Sequence, residues 1–245
     1  MTTLRLDLAY DGSGFRGYAR QNGLRTIQGV LETALETIIG HQVDTAVAGR
    51  TDAGVHAAGQ VVSVHLGDEI VVDARRFARS INGLVGPEIS VLRVSEVNEG
   101  FNARFSATWR RYRYSIGTGP APDPLTRGSV WHVGAGLDLD AMSEAATEYL
   151  GEHDFSAFCR SVAGSSNVRR VDEARWEITG ALAHFWIKAN AFCHQMVRSL
   201  AGLAYDVGRG FTDPGSVKEI IAAGDRGRVV TVAPPHGLTL WDVGY

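Results

Sequence analysis

At 245 residues, with 44% apolar and 21% charged side chains, the chain can bury a sizeable core and has the make-up of an ordinary water-soluble protein. No apolar run reaches the roughly 20 residues of a membrane-crossing helix, which excludes a helical membrane protein. A formal charge of −3 excludes a protein-wide basic field. Lysine occurs only at Lys188 and Lys218, so nearly all the positive charge is arginine, whose planar fork suits phosphates and stacked bases. The arginines cluster at Arg75-Arg76, at Arg110-Arg111-x-Arg113 and at Arg169-Arg170.

Residues 4–10 alternate apolar and polar, the pattern of a strand. It runs into Gly12-Ser13-Gly14-Phe15-Arg16-Gly17, which satisfies G-x-G-x-x-G. A dinucleotide site needs a helix opening at those glycines, so that its N-terminus meets the pyrophosphate. Here the helical spacing begins only after Thr26, with Ile27, Val30, Leu31, Ala34, Leu35 and Ile38 on one face. The acidic residues about 20 positions on, Glu32 and Glu36, fall inside that helix instead of ending a second strand. What remains is a plain glycine turn, or a flexible loop whose Arg16 and Arg20 touch a polyanion. Thr26 is the predicted N-cap.

Strands are predicted near 43–48 and 60–66, a helix over 74–84 capped by Asp73, and a strand over 89–97. The order is β-α-β-β-α-β, the split βαβ or ferredoxin-like arrangement. It repeats from Trp109. A strand carries Trp109, Arg111, Arg113 and Ser115 on one face and Arg110, Tyr112, Tyr114 and Ile116 on the other. The stretch 117–128 is rich in Gly and Pro and reads as a loop. Asp138 caps a helix to about 150, strands follow near 170–179 and 182–190, and an amphipathic helix runs over 194–208. Asp213-Pro214 opens another helix, and 237–244 closes as a strand. The expected fold class is α+β, with domains 1–104 and 105–245. The chain starts in a strand pattern with no basic and apolar leader, so the expected compartment is the cytoplasm. Cys159 and Cys193 show neither a disulfide framework nor metal-ligand spacing, and two reduced thiols are expected.

The run "AGRTDAGVHAAGQVV", 48–62, carries the most chemistry. Arg50 and Asp52 are two apart and share a face of an extended segment. A nearby arginine keeps an aspartate ionised and directs it. Two readings stay open from the residues alone: a catalytic carboxylate on a glycine-flanked turn, or an Asx-turn in which the aspartate bonds its own backbone.

"GRTDAGVHA" resembles the signature of the tRNA pseudouridine synthase A family. "YDGSGFRGYARQ", "FNARFSATWRRYRYSI", "KANAFCHQMVRSLAG" and "GLTLWDVGY" resemble further segments of that family, in its order. The resemblance implies conversion of uridine to pseudouridine at positions 38 to 40 of the tRNA anticodon stem-loop. The N-glycosidic bond breaks, the uracil turns, and C5 joins C1′. This chemistry requires no cofactor or metal, and no deaminase or H-E-x-x-H zinc pattern is present.

The resemblance also assigns roles. Asp52 matches the catalytic aspartate, which attacks base or sugar or acts as a base. Tyr112 matches a tyrosine that packs on a flipped target base; read alone it is sooner a cross-strand packing residue. Arg198 matches an arginine that pairs with the aspartate; read alone it is a helix charge. Leu238 matches an apolar pocket residue. Arg50 is a substrate contact, and Arg16, Arg110 and Arg111 are candidate phosphate contacts. His56 and His194 read as ordinary hydrogen-bonded histidines. The chain departs from the family at Tyr18, where tryptophan is usual, and over 165–171. Two ferredoxin-like domains are expected to join their sheets across a central RNA-binding cleft, with Asp52 and Tyr112 meeting at the domain interface. The expected partners are tRNA and a second copy of the chain in a homodimer, with no membrane. The alternatives are a pseudouridine synthase acting on another RNA, a nonenzymatic RNA-binding protein, and a glycosidase with paired carboxylates.

Overall fold

The computed structural model describes residues 2–66, 72–160, 164 and 166–245. It forms two compact units, one of residues 1–108 with 240–245 and one of 109–239. The first contains β1 (Thr3–Tyr10), α1 (Ile27–Ile39), β2 (Asp44–Val47), β3 (His56–His65), α2 (Ala74–Val85) and β4 (Ile89–Val97).

Alternation in β1 sends Leu4, Leu6, Leu8 and Tyr10 inward. The strand lies between β3 and β4, antiparallel to both, with Leu6 opposite Val62 on one side and Val94 on the other. β2 adds antiparallel to β3, Thr45 opposite Val64, so the order is β4-β1-β3-β2. α1 buries Ile27, Leu31, Ala34 and Leu35, and α2 buries Phe77, Ile81 and Val85. The predicted caps form: Thr26 accepts from Gly29 N at 3.2 Å, and Asp73 from Arg76 N at 2.9 Å.

The second unit contains β5 (Trp109–Gly117), β6 (Trp131–His132), α3 (Leu139–Thr147), β7 (Gly151–Asp154), β8 (Val168–Thr179), β9 (Leu182–Ala189), α4 (Met196–Gly208), α5 (Val217–Ala223) and the start of β10 (Leu238–Gly244). β5 pairs antiparallel with β9, β9 with β8, and β8 with β7, while β6 adds a short parallel piece to β5. α4 is buried on nearly every side, from Met196 to Gly208.

Four differences from the sequence reading have identifiable physical causes. β3 starts at His56 instead of near 60, because Gly59 lies within the strand and does not end it. α3 stops at Thr147, short of 150; Tyr149 N and Leu150 N bond three residues back, a tightened last turn before Gly151 at φ 99°. The closing strand does not belong wholly to the second domain, because Leu240–Tyr245 clusters with the first unit. A Cβ on Gly59 would collide with the Trp241 carbonyl, so a glycine lets β10 lie against β3. Thr108 N bonds Gly244 O at 2.8 Å, the Tyr245 hydroxyl donates to Ala103 O at 2.9 Å, and Val243 packs on Ala48, Val61 and Ala103.

The fourth difference is that Cys159 and Cys193 are joined as a disulfide, not held as two thiols. The turn Ser156–Phe158 and the approach to α4 bring their Cα atoms to 5.6 Å, inside the bridging range. A sequence separation of 34 gave no sign of that proximity. No helix among the described residues is long and apolar enough to cross a membrane. Ser165, the first residue of the 165–171 departure, lies outside the described residues.

Candidate active site

Asp52 stands on the turn between β2 and β3, half-buried between buried Thr51 and exposed Ala53. Val55 N closes the turn onto Asp52 O at 3.1 Å. The glycine loop after β1 packs directly on this turn. Tyr18 N donates to Thr51 O at 3.0 Å, and Gly17, at φ 93°, leaves 3.1 Å between the position of a Cβ and Thr51 O. Gly12 allows an even closer approach, because a Cβ there would collide with the Val55 carbonyl. The G-x-G-x-x-G run is therefore a backbone-packing device for the Asp52 turn. Gly14 differs: a Cβ there meets only the Arg25 guanidinium, at 3.1 Å.

Polar groups complete the support. The Tyr10 hydroxyl lies 2.8 Å from Thr51 Oγ1. Gln60 Nε2 donates to Gly49 O at 2.7 Å and to Tyr10 Oη at 3.2 Å. Burial pushes the Tyr10 hydroxyl up to about 12, opposed by the bonds to Thr51 and Gln60, so it stays neutral. His56 Nδ1 sits 3.2 Å from Gly12 N and 3.1 Å from Asp11 Oδ1. One ring nitrogen serves only one of these at a time: unprotonated it accepts from the amide, and protonated it faces the carboxylate. Burial raises the Asp11 carboxyl, but the Ser13 bonds and then His56 outweigh it and hold the carboxyl below its ordinary value. Tyr18 is buried nearby, its ring centroid 6.4 Å from that of Tyr10, and its hydroxyl has no hydrogen-bond partner among the described residues. Arg50 and Arg16 are both exposed, Arg16 on the loop that packs on the turn.

In the second unit Tyr112 occupies the middle of β5, opposite Ile187, buried with its ring edge-on to Phe192 at 5.0 Å. Tyr114, two residues on, shares that face. Its hydroxyl donates to Pro234 O at 2.9 Å, and burial, only partly opposed by the Arg198 charge, pushes its ionisation far up. Arg198, on the first turn of α4, donates from Nε to Ala233 O at 2.8 Å, while Ala233 N returns a bond to Arg198 O at 3.0 Å. Gly202 lets Thr231 O approach α4, and Thr231 Oγ1 donates to Asp206 at 2.7 Å. The segment 231–237, which ends in a 3-10 turn over Pro235–Gly237, is thus a strap across α4 and β5, and it delivers Leu238, 6% exposed, to the start of β10. Gln195, just before α4, has a φ of 67°, the only positive value outside glycine among the described residues; its side chain accepts from Arg226 at 3.1 Å.

The remaining arginines separate. Arg110 is buried and donates to Asn190 O at 3.0 Å. Arg111 lies on the opposite face of β5 from Tyr112, its guanidinium 5.6 Å from the Trp186 ring centroid. Sequence reading missed the Tyr10–Thr51–Gln60 chain and the strap. The pair Pro234-Pro235 hinted at the strap, but nothing local marked the chain, whose members lie 41 and 50 residues apart. A groove of about 550 Å³ runs between the 20–26 loop, α1 and Leu84; Asp52 does not line it. Among the described residues, no group of three or more His, Cys, Asp and Glu is placed to hold a metal ion.

Residues 145–245 match the family described as tRNA pseudouridine synthase. Proteins named tRNA pseudouridine synthase A align along nearly the whole chain. The one from Streptomyces griseus is 46% identical, over 99% of this chain and 87% of that protein. The one from Leifsonia xyli is 42% identical, over 100% and 92%. The one from Bacillus licheniformis is 38% identical, over 99% and 98%. With likeness of this depth from end to end, the chain belongs to the tRNA pseudouridine synthase A family.

Proposed function

We propose that the protein is an isomerase that converts uridine to pseudouridine at positions 38 to 40 of the tRNA anticodon stem-loop, with Asp52 as the reacting group. Family membership carries the activity, and it leaves no place for a nonenzymatic RNA-binding protein or a glycosidase. The observation behind Asp52 is its position: a carboxylate on a turn that two backbone approaches and a buried hydrogen-bond chain hold in one conformation.

The reaction balances without an outside reagent. The C1′–N1 bond breaks, the uracil turns, C1′ bonds to C5, C5 gives up its proton and N1 takes one up. Asp52 serves as nucleophile or as base in this exchange. The target uridine must leave its stack, at a cost of a few kcal/mol, and stacking on an aromatic contributes about 1–3 kcal/mol per base. Tyr112 supplies that aromatic surface and Leu238 an apolar contact. Arg198 keeps the reacting carboxylate ionised. Arg50, Arg16 and Arg111 meet the phosphates, whereas Arg110, buried and bonded to Asn190 O, serves the β5–β9 edge instead. Each unit adopts the ferredoxin-like arrangement, supported in the first by the element order and the strand order β4-β1-β3-β2. The protein works in the cytoplasm as a homodimer, and sedimentation of a fully active monomer would overturn the dimer.

Asp52→Asn is expected to bind tRNA as tightly as the parent while losing about 10³-fold or more in tritium release from [5-³H]uridine-labelled tRNA. Release at the parental rate would remove Asp52 from the chemistry. Mapping pseudouridines in RNA from a deletion strain identifies the substrate: loss at 38 to 40 of tRNA is expected, and loss only in another RNA would overturn the assignment.

A further inference from the structure

Tyr10, Gln60 and Thr51 lie at the end of β1, within β3 and on the Asp52 turn, and all three are buried, at 4%, 0% and 7% exposure. The direction of their hydrogen bonds is determined by what surrounds Gln60. Gly49 O, 2.7 Å away, requires a donor, so the amide nitrogen faces it. Val61 N, 3.2 Å from Oε1, requires an acceptor, which confirms that orientation. The second amide hydrogen then points to Tyr10 Oη. The phenol accepts there, which leaves its own hydrogen for Thr51 Oγ1. The chain Gln60 N–H to Tyr10 O–H to Thr51 Oγ1 runs one way, and a branch from the same amide holds Gly49. Its two ends grip residues 49 and 51, immediately before Asp52.

We infer that Tyr10, with Gln60, is a positioning residue for Asp52: the chain fixes the backbone of 49–51 and so the direction in which the Asp52 side chain leaves the turn. This rests on the reading of Asp52 as the reacting group. A neutral phenol suits the task, because it accepts and donates at once and brings no charge into a buried site. Without the hydroxyl, a Gln60 hydrogen and the Thr51 oxygen lose their partner. The turn then relaxes by a fraction of an ångström while its glycine packing remains.

The test compares Tyr10→Phe, Thr51→Val and Thr51→Ser in the full-length protein, by pseudouridine formation on tRNA and by thermal unfolding. Misplacement near a reacting centre costs up to about 100-fold, so Tyr10→Phe and Thr51→Val are expected to lose roughly 10–100-fold in kcat, with KM for tRNA changed by less than about 3-fold. Thr51→Ser keeps the hydroxyl and is expected to stay within about 3-fold of the parent in kcat. Parental kcat in Tyr10→Phe overturns the inference, whatever Thr51→Val does. So does a parallel fall of kcat, tRNA affinity and melting temperature in which Thr51→Ser fares no better than Thr51→Val, since a merely structural role predicts that. Asp52→Asn, assayed alongside, separates the two levels. If it stays active, the reading of Asp52 fails; if it is inactive while Tyr10→Phe is fully active, only the positioning role fails.

Discussion

The Asp52 turn and the middle of β5 are built in opposite ways. Asp52 sits on irregular backbone, and everything that holds it is specific: two glycine approaches, a one-way hydrogen-bond chain and the Asp11–His56 contact. Tyr112 sits on a strand whose register with β9 fixes it, with Phe192 against its ring edge. A carboxylate proposed to react needs direction, and a turn supplies directions that a pleated strand does not. The stacking surface proposed for Tyr112 needs only rigidity, which a paired strand provides.

The sharpest way to break this contrast is Gly12→Ala. The added Cβ collides with a backbone carbonyl that cannot rotate away, so the loop and the Asp52 turn must separate. A destabilisation near the upper end of about 1–3 kcal/mol is expected, read as a drop of several degrees in Tm, together with loss of activity. Gly14→Ala, which meets only a flexible guanidinium, is the control and should be close to parental. Equal effects at the two positions would mean that the glycine loop does not support the turn.

Tyr112→Ala comes next. Loss of a stacking surface worth about 1–3 kcal/mol should lower kcat/KM by roughly 10–100-fold with little change in Tm. Tyr112→Phe keeps the ring and should recover most of that loss. An equal loss in the two variants would shift the role from the ring to the hydroxyl.

The smallest effect sharpens the contrast within the first unit. Tyr10 and Tyr18 are both buried, yet of their two hydroxyls only that of Tyr10 has hydrogen-bond partners among the described residues. Burial, reinforced by the neighbouring Tyr10 and Glu32, pushes Tyr18 well above its ordinary ionisation. Removing an orphaned hydroxyl relieves a desolvation cost, so Tyr18→Phe should be neutral or raise stability by up to about 1 kcal/mol in urea unfolding. A clear destabilisation would show that the Tyr18 hydroxyl is satisfied.

Much of this was legible in the residues because its causes are local. Thr26 and Asp73 cap their helices because a side-chain oxygen reaches an amide within one turn. The β1 alternation and the apolar stripe of α1 are set by the two helical and strand periods. The failure of the dinucleotide fingerprint was readable for the same reason, from a helix that starts too late.

What the linear pattern could not carry depends on atoms far apart in the chain. Gly59 is where β10 passes, a relation across about 180 residues that only the folded sheet creates. The cysteines looked unrelated until two turns brought them together.

The sequence by itself determined the family, the order of elements in the first unit, the caps and the candidacy of Asp52, since each of these rests on neighbouring residues or on an extended motif; β6 and β7 of the second unit were not legible in it. Only the tertiary structure decided that the three fingerprint glycines do different work, that Tyr10 and Gln60 grip the turn before Asp52, and that the C-terminal residues return to the first unit. Close backbone approach and the pairing of buried polar groups are properties of three-dimensional neighbours, and the chain order does not encode them locally.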